Sequence, residues 1–407
     1  MERGAMNGKT SNRHSAIPRA IWTLGFVSLL MDVSSEMVHA LLPVFLVSEL
    51  GASFAAVGLI EGIAEATAAI TKIFSGVLSD WLGRRKPLAA IGYGLSAIAK
   101  PAFPLAASIG WIVAARFVDR VGKGVRDAPR DALLADLAPP EARGASMGLR
   151  QALDTVGAFL GPLLAIGLMA LTANRFRVVF WVAVVPAFLA VALLVVGVRE
   201  PLRPTRGAPG FPLSFPELRR LGAFFWLAVA TAVAFSLACF SDAFLILRAR
   251  DAGLPIALAP AVLVVMNVVY AAAAYPAGAL SDRFGRLAVL GAGFAILIVA
   301  DLTLAFAAGL MGVAAGVALW GLQMGVTKGA LAALVADAAP SDSRGSAYGI
   351  FNFASGLALL VASVLFGVLW DRSGPAAAFF ASGLFAAAAI ASLLLLRQGL
   401  IGRAVIP

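Results

Sequence analysis

Two nine-residue stretches decide how this sequence folds: GVLSDWLGR at residues 76–84 and GALSDRFGR at residues 278–286. A second motif repeats at nearly the same spacing, because DLAP at 136–139 recurs as DAAP at 337–340. Both pairs are separated by about half of the 407-residue chain. Two independent motifs with one offset predict two homologous halves, and parallel repeats around a central site are a transporter architecture.

Each half is predicted to be a bundle of membrane-spanning helices. Hydrophobic residues make up 61% of the chain and charged residues only 13%, which is less charge than a soluble protein of this length carries. Apolar runs recur at about the twenty-residue length that crosses roughly 30 Å of hydrocarbon. The spans are expected near 20–48, 54–79, 87–108, 110–136, 146–172, 177–198, 221–248, 257–281, 287–307, 309–336, 345–369 and 375–396. The sequence therefore predicts an all-α membrane protein with about twelve transmembrane helices in two pseudo-symmetric six-helix bundles.

The positive charges predict an orientation in the membrane. With the N-terminus inside, Lys and Arg concentrate on the inner side, and only Arg175, Arg177, Arg248, Arg250 and Arg372 lie outside. The net charge of +10 thus follows from topology and calls for no nucleic-acid partner. We expect a cytoplasmic tail (1–19), a first half (20–198), a cytoplasmic linker (199–220), a second half (221–396) and a cytoplasmic tail (397–407), in a bacterial-type inner membrane.

The repeated stretch resembles the signature loop between helices 2 and 3 of the major facilitator superfamily, with its weaker copy between helices 8 and 9. The positions that carry it are Gly76, Asp80, Gly83, Arg84 and Arg85, and in the copy Gly278, Asp282, Gly285 and Arg286. The glycines permit a tight turn and close helix approach. Asp80 is expected to latch the two halves on the cytoplasmic side by meeting helix N-termini or basic partners. The alternative is a plain positively charged turn.

Two further segments carry the same resemblance, which covers essentially the whole chain. The run from Arg120 to Gly124 resembles the fourth-helix motif of the family, whose Arg is linked to proton coupling. Gly157, Gly161 and Pro162 resemble the fifth-helix motif that is typical of exporters. Small residues pack many membrane helices, so the fifth-helix motif is less specific than the duplicated loop.

Charged residues inside the predicted spans lie mostly in the first half. Each costs at least ~2.5–3.5 kcal/mol at a helix centre, so we expect them to line a cavity or to pair. Asp32 and Glu36 share one face of the first span, and Glu61 and Glu65 share one face of the second. The candidate coupling and substrate-cavity residues are Asp32, Glu36, Glu61, Glu65, Arg116, Asp119, Arg120, Lys123, Asp127 and Asp154.

These acids are expected to face Arg120 and Lys123 near the middle of the membrane. Four carboxylates with fewer deep bases should leave one able to titrate at working pH, as proton coupling requires. The alternative is a structural ion-pair network, although buried pairs add little net stability. The second half holds only Asp242, Asp301 and Lys328 at comparable depth.

The sequence predicts a secondary transporter and no enzyme. A lone Cys239 and two His residues argue against a metal site, and the absence of a phosphate-binding loop argues against direct use of ATP. We predict a monomeric, cofactor-free, proton-coupled exporter that works by antiport, with a small-molecule substrate, protons and the lipid bilayer as partners. One alternative is a proton-coupled symporter that imports a small organic or inorganic anion, which the basic fourth span favours. Another is a non-transporting receptor or lipid scramblase, which leaves the acidic face without a role.

Overall fold

The computed structural model describes residues 17–139, 142–200, 221–338 and 344–404, and within these ranges it contains helices and no strands. Most of the predicted N-terminal tail (1–19) and linker (199–220) lies outside the described residues. The helices are α1 (Arg19–His39), α2 (Leu42–Ser48), α3 (Phe54–Leu82), α4 (Lys86–Ala99), α5 (Ile109–Leu137), α6 (Arg143–Leu171), α7 (Phe176–Gly197), α8 (Ala223–Ala238), α9 (Ala243–Asp251), α10 (Ala261–Phe284), α11 (Arg286–Phe306), α12 (Leu310–Ala338) and α13 (Arg344–Ala404).

These helices confirm the predicted all-α fold with about twelve spans. Nine segments in the described part of the chain are long and apolar enough to cross a membrane. The last one contains two spans, because α13 bends at Gly374, whose φ of 81° interrupts the helix. The third and fourth spans complete the set: α4, which is short, continues into a 3₁₀ turn at Lys100–Ala102, and α5 carries many charges.

Local sequence signals explain several helix ends. Ser53 and Ser108 cap α3 and α5, since their hydroxyls accept hydrogen bonds from the backbone N–H groups of Ala56 (3.1 Å) and Trp111 (3.4 Å). Gly83 ends α3 in the left-handed region with a φ of 63°, which favours glycine. Gly285 follows α10 with a φ of 86° and a ψ of 149°, a conformation open essentially to glycine alone. The two repeated loops therefore each contain a glycine that the backbone requires.

The duplication seen in the sequence extends to hydrogen bonds beside the two loops. Arg85 Nη1 donates to the carbonyl of Ala132 (2.6 Å), and Arg286 Nη1 donates to the carbonyl of Ala333 (2.7 Å). Arg85 also pairs with Asp136 (2.7 Å), as Arg286 pairs with Asp337. The structural counterpart of Arg286 is thus Arg85, and Arg84 is exposed. The two nine-residue stretches place Arg286 opposite Arg84 in the sequence, but the second loop is one residue shorter, so Arg286 occupies the position of Arg85.

The two halves meet most tightly at one end of α3 and α13, here called the Asp371 end. The Asp371 carboxylate accepts hydrogen bonds from the backbone N–H groups of Phe54 (3.0 Å) and Ala55 (2.8 Å). A Cβ on Gly58 would lie only 2.1 Å from the carbonyl oxygen of Ser363, so the backbones touch there. The Phe54 ring also stacks on Trp370. The halves are therefore closed against each other at this end.

At the opposite end of the same helices, here called the Asp80 end, the halves separate. A cavity of about 480 Å³ lies between α3, α5 and α13, and its lining includes Glu65, Lys72, Gly76, Asp127 and Asn352. A second cavity of about 430 Å³ lies between α6 and α10. The molecule is thus closed at the Asp371 end and open toward the duplicated loops.

Candidate functional site

Helix α5 carries a stripe of buried charge through the first half. Its buried charged residues are Arg116, Asp119, Arg120, Arg126 and Arg130. Glycines let neighbouring helices come close to this stripe. A Cβ on Gly122 would lie 2.7 Å from the carbonyl of Gly92 in α4, and one on Gly124 would lie 2.8 Å from the carbonyl of Ala68 in α3. Two helices therefore present their side chains directly to the charges of α5.

The acids of α3 pair with the bases of α5. Glu61 and Arg116 form a salt bridge of 2.6 Å and are both buried. One turn further along, Glu65 lies 3.4 Å from Arg120, whose side chain is buried whereas that of Glu65 is 39% exposed. Of the four acids expected to face Arg120 and Lys123, Glu65 is the one that pairs with Arg120 within the described residues. Glu61 pairs with Arg116 instead, and Lys123 makes no ion pair in the described part of the chain.

Arg120 has a second acid within reach. Its Nε lies 3.9 Å from Asp119, which also accepts a 3.0 Å hydrogen bond from Lys100 Nζ. Lys100 is buried in the 3₁₀ turn that follows α4 and also donates to the Ser35 hydroxyl (3.1 Å). The guanidinium of Arg120 thus stands between a cavity-facing acid and a buried one.

The acids of α1 lie on the face that packs against α6. Glu36 is 3.4 Å from His39 Nδ1, and His39 Nε2 is 3.8 Å from Glu61. Asp32 makes no ion pair within the described residues and lines the 430 Å³ cavity together with Asp154.

The fifth-helix motif lies under the acids of α1. A Cβ on Gly157 would lie 3.0 Å from the Cβ of Asp32, and one on Gly161 would lie 2.7 Å from the Cβ of Glu36. Pro162 is buried beside them. The two glycines therefore set the close packing of α6 on the acidic face of α1.

Sequence reasoning missed several partners in this network. Asp154 is bonded by Arg150, an i, i+4 neighbour that helical spacing could have identified. Arg126 donates to the Ser96 hydroxyl (2.5 Å), and Arg130 donates to the Ser28 hydroxyl (3.2 Å). Asp127 lies 3.8 Å from Arg126 and 3.9 Å from Arg130. No signal in the sequence indicates which serine meets which arginine.

A cavity of about 250 Å³, here called the central cavity, lies between the two halves. The first half contributes His39, Glu61 and Glu65. The second half contributes Phe235, Cys239, Phe240, Ser241, Asp242, Trp320, Gln323, Met324, Thr327, Lys328 and Leu359. The cavity therefore combines an ionic wall from one half with a wall from the other half that is partly aromatic and apolar and also carries Asp242 and Lys328.

The duplicated loops lie at the open end and contact their own halves. Asp80 pairs with Arg85 at 3.3 Å and is 56% exposed, so its ion pair is within the first half and the predicted latch between halves is not engaged in this conformation. Glu200 accepts hydrogen bonds from the backbone N–H groups of Arg85 and Lys86 (the latter 3.0 Å) at the start of α4, where the helix dipole favours an acid. Asp282 is exposed.

The first glycines of the two loops are not sites of close approach in this conformation. A Cβ on Gly76 would make an ordinary 3.5 Å contact with Ala128, and one on Gly278 would meet open space. The expected tight turn is therefore found at Gly83 and Gly285, and the expected close helix approach is not found here.

Comparison with known proteins places this geometry in a family. The model of the Major Facilitator Superfamily matches residues 24–266 and 243–401. An uncharacterized MFS-type transporter of Methanocaldococcus jannaschii is 32% identical over 396 residues, which cover 95% of this chain and 97% of the relative. An uncharacterized protein of Mycobacterium tuberculosis is 33% identical over 364 residues, 87% of each chain.

The solved structures agree on the fold. The inward-facing, occupied form of a bacterial homologue of the human lysosomal transporter Spinster superimposes with a TM-score of 0.75 at 16% sequence identity, covering 93% of this chain and 96% of that one. At this identity the match shows the architecture and leaves the substrate open.

Proposed function

The chain belongs to the major facilitator superfamily of membrane transporters, and we propose that this member is a proton-coupled exporter that exchanges a small solute for protons by alternating access. The proposal includes a monomeric state, a bacterial-type inner membrane and two cytoplasmic termini. The distribution of Lys and Arg along the chain supports this orientation. The Asp80 end, where the cavities open, would then face the cytoplasm.

The Glu65–Arg120 pair is the observation that carries the proposal. Glu65 lines both the central cavity and the 480 Å³ cavity that opens at the Asp80 end. By contrast, Glu61 is buried against Arg116. Glu65 is therefore an acid that solvent and solute reach while a buried cation holds it.

The pair supplies a simple exchange. When Glu65 is charged, it holds Arg120. When Glu65 binds a proton, it becomes neutral and releases Arg120, whose guanidinium has Asp119 3.9 Å away as a second partner. A positively charged group in the central cavity favours the charged form of Glu65 and so competes with the proton. Antiport follows because a cationic group in the cavity and a proton on Glu65 disfavour each other, so that solute and proton bind in turn.

The test compares two kinds of flux in proteoliposomes that contain the full-length protein and a pH-sensitive dye. A panel of radiolabelled amines and amino acids is offered under an imposed pH gradient and then, without a gradient, in downhill exchange. We expect Glu65→Gln to reduce gradient-driven transport at least ~100-fold, within the range by which a positioned proton-transfer group changes a rate. Downhill exchange should persist, since it needs solute binding and rocking but no net proton movement.

The matched control is Glu49→Gln, which changes an exposed acid of the same half outside the cavities. It should leave both fluxes unchanged. If Glu65→Gln retains full gradient-driven transport, the proposed carrier is wrong. Asp32, which makes no ion pair within the described residues, then becomes the next residue to test. Co-movement of an anion and protons in the same direction would favour symport instead.

A further inference from the structure

The central cavity presents two charges of opposite sign that have no ion-pair partner in the described part of the chain. Both come from the second half: Asp242, between α8 and α9, and Lys328, on α12. We propose that the central cavity binds a small zwitterion with an apolar side group, the chemistry of an amino acid, with its ammonium on Asp242 and its carboxylate on Lys328. This inference rests on the proposed function and names the class of its substrate.

The first-half charges that line the cavity already have partners. Glu61 pairs with Arg116, Glu65 pairs with Arg120, and His39 lies beside Glu36. Those acids are balanced inside their own half. A solute that enters the cavity therefore meets one negative and one positive charge on the opposite wall, neither of which forms an ion pair within the described residues.

Asp242 lies where the seventh span is broken. Helix α8 ends at Ala238 and α9 begins at Ala243, so the backbone between them is not helical. Asp242 occupies the N-cap position of α9, yet its side chain makes no capping hydrogen bond. A carboxylate at this position commonly bonds to the helix N-terminus, and here it is left for the cavity.

Lys328 is the cation of the same wall. Its Nζ lies 5.1 Å from the centroid of the Tyr270 ring, a contact that positions the ammonium without neutralising it. Trp320, Gln323, Thr327 and Lys328 recur at helical spacing along one face of α12. The cation therefore lies on a face whose other cavity-lining residues named here are one aromatic ring, Trp320, and two uncharged polar side chains, Gln323 and Thr327.

The remaining wall and the size of the cavity restrict the solute further. Phe235, Phe240 and Trp320 are buried and line the cavity, and the ring centroids of Phe240 and Trp320 are 4.4 Å apart. The volume of about 250 Å³ is below the ~300–1,000 Å³ of sites for drug-sized ligands. A small solute that places an apolar group against these rings and carries both of its charges on a short backbone fits the aromatic wall and the small volume.

The inference also fits antiport. Glu65 and Asp242 line the same cavity from opposite halves. The positive charge of an ammonium bound at Asp242 favours the charged form of Glu65 across the cavity. Binding of the zwitterion would therefore displace the proton from Glu65. The carboxylate of the solute binds Lys328 on the second half, away from the proposed coupling pair Glu65–Arg120 of the first half.

The test uses three radiolabelled probes with the same phenyl group: L-phenylalanine, phenethylamine and 3-phenylpropionate. Binding to detergent-purified full-length protein is measured by equilibrium dialysis at neutral pH, without any gradient. We expect phenylalanine to bind at least ~10-fold more tightly than either probe with a single charge, since it alone engages both charges.

Two variants separate the charges. Asp242→Asn should weaken phenylalanine and phenethylamine at least ~10-fold and spare 3-phenylpropionate, and Lys328→Gln should weaken phenylalanine and 3-phenylpropionate and spare phenethylamine. Lys328→Arg, which keeps the charge, should retain most of the affinity for phenylalanine. The controls are Asp251→Asn and Arg372→Gln, which change exposed charges outside the cavity, and both should bind as the unchanged protein does.

Three results would overturn the inference: phenethylamine binding as tightly as phenylalanine, binding of none of the probes, or equal effects of both cavity variants on all three. Because binding is measured without a gradient, the result is independent of coupling. Phenylalanine binding without proton flux would refute the proposed function alone. Proton-coupled flux of an unrelated solute would refute the substrate class alone.

Discussion

The fourth and tenth spans, α5 and α12, occupy equivalent positions in the two halves but carry different buried side chains. Helix α5 begins at Ile109 and ends at Leu137, and α12 begins at Leu310 and ends at Ala338, 201 residues later at both ends. With this offset, Arg116 corresponds to Val317, Asp119 to Trp320 and Arg126 to Thr327. The buried charges of one helix are thus apolar, aromatic or hydroxyl groups in the other.

The packing features of the two helices did not diverge in this way. Gly124 of α5 and Gly325 of α12 both lie against a neighbouring backbone. A Cβ on Gly124 would lie 2.8 Å from the carbonyl of Ala68, and one on Gly325 would lie 2.9 Å from the carbonyl of Tyr270. Arg85 and Arg286 make equivalent bonds to the ends of these helices. The comparison indicates that the two halves share close helix packing and loop contacts. They differ in the buried side chains, because those of α5 form ion pairs and their counterparts on α12 are uncharged.

The largest expected effect tests whether the ion pairs of the first half are needed for its stability. Arg116→Met leaves Glu61 buried without its cation, which should cost about 3–5 kcal/mol of unfolding free energy. Thr327→Val on the counterpart helix removes a hydroxyl that donates to the Gln323 carbonyl (2.8 Å) and lies 3.3 Å from the Gln323 side-chain Oε1, and it should cost about 0.5–1.5 kcal/mol. Thermal unfolding of the detergent-purified variants measures both, and equal losses would show that the two interiors do not differ in this respect.

A loss of stability of intermediate size tests the backbone strain at the glycines of the two repeated loops. Gly285→Ala forces a side chain into a backbone conformation essentially restricted to glycine, at about 1–3 kcal/mol. Gly83→Ala needs only the left-handed helical region, which costs roughly 1–2 kcal/mol. The change at Gly285 should therefore lower the unfolding temperature more, although the first loop is the more complete copy of the motif. A larger fall in unfolding temperature for Gly83→Ala would mean that lost loop contacts matter more for stability than backbone strain does.

The smallest expected effect concerns the place where the halves touch. Asp371→Ala removes the acceptor for two backbone N–H groups of α3, which should cost the closed conformation about 1 kcal/mol. That cost should raise the population opened at the Asp371 end about fivefold. Spin labels at positions 49 and 372, on a Cys239→Ser background, would report it as a longer distance.

The matched variant for this experiment is Asp371→Asn, which keeps one acceptor oxygen and should shift the distance distribution less. Identical distributions for Asp371→Ala and the unchanged protein would show that glycine packing alone, at Gly58 and Gly367, closes this end.

The sequence predicted features that are local or periodic. The spans follow from runs of apolar residues, the family follows from the duplicated loop, and both are confirmed. The four-residue spacing of Glu61 and Glu65 places both on one face of α3, and the basic residues of α5 indicated that this face meets α5. Individual partners were not predictable, because the pairing of Lys100 with Asp119 depends on how deep and how far rotated two neighbouring helices are.

Other features were not predictable because they depend on an interrupted helix, on a loop-length difference or on which conformation the protein adopts. Asp242 reaches the central cavity because the seventh span is interrupted, and an apolar run does not reveal such an interruption. The match of Arg286 with Arg85 depends on a difference of one residue between the loops. The predicted latch at Asp80 concerns a contact between halves, and at this end the halves stand apart.

The charge stripe of α5 has a consequence for how the protein is made. Its five buried charges would each cost ~2.5–3.5 kcal/mol at the centre of an isolated helix in lipid, so α5 is a poor substrate for independent insertion. The partners of Arg116, Arg120 and Asp119 on other helices, namely Glu61, Glu65 and Lys100, all precede α5 in the chain and emerge from the ribosome first. The order of synthesis therefore places the partners in the membrane before the helix that needs them, and a circular permutation that starts at α5 should fail at insertion.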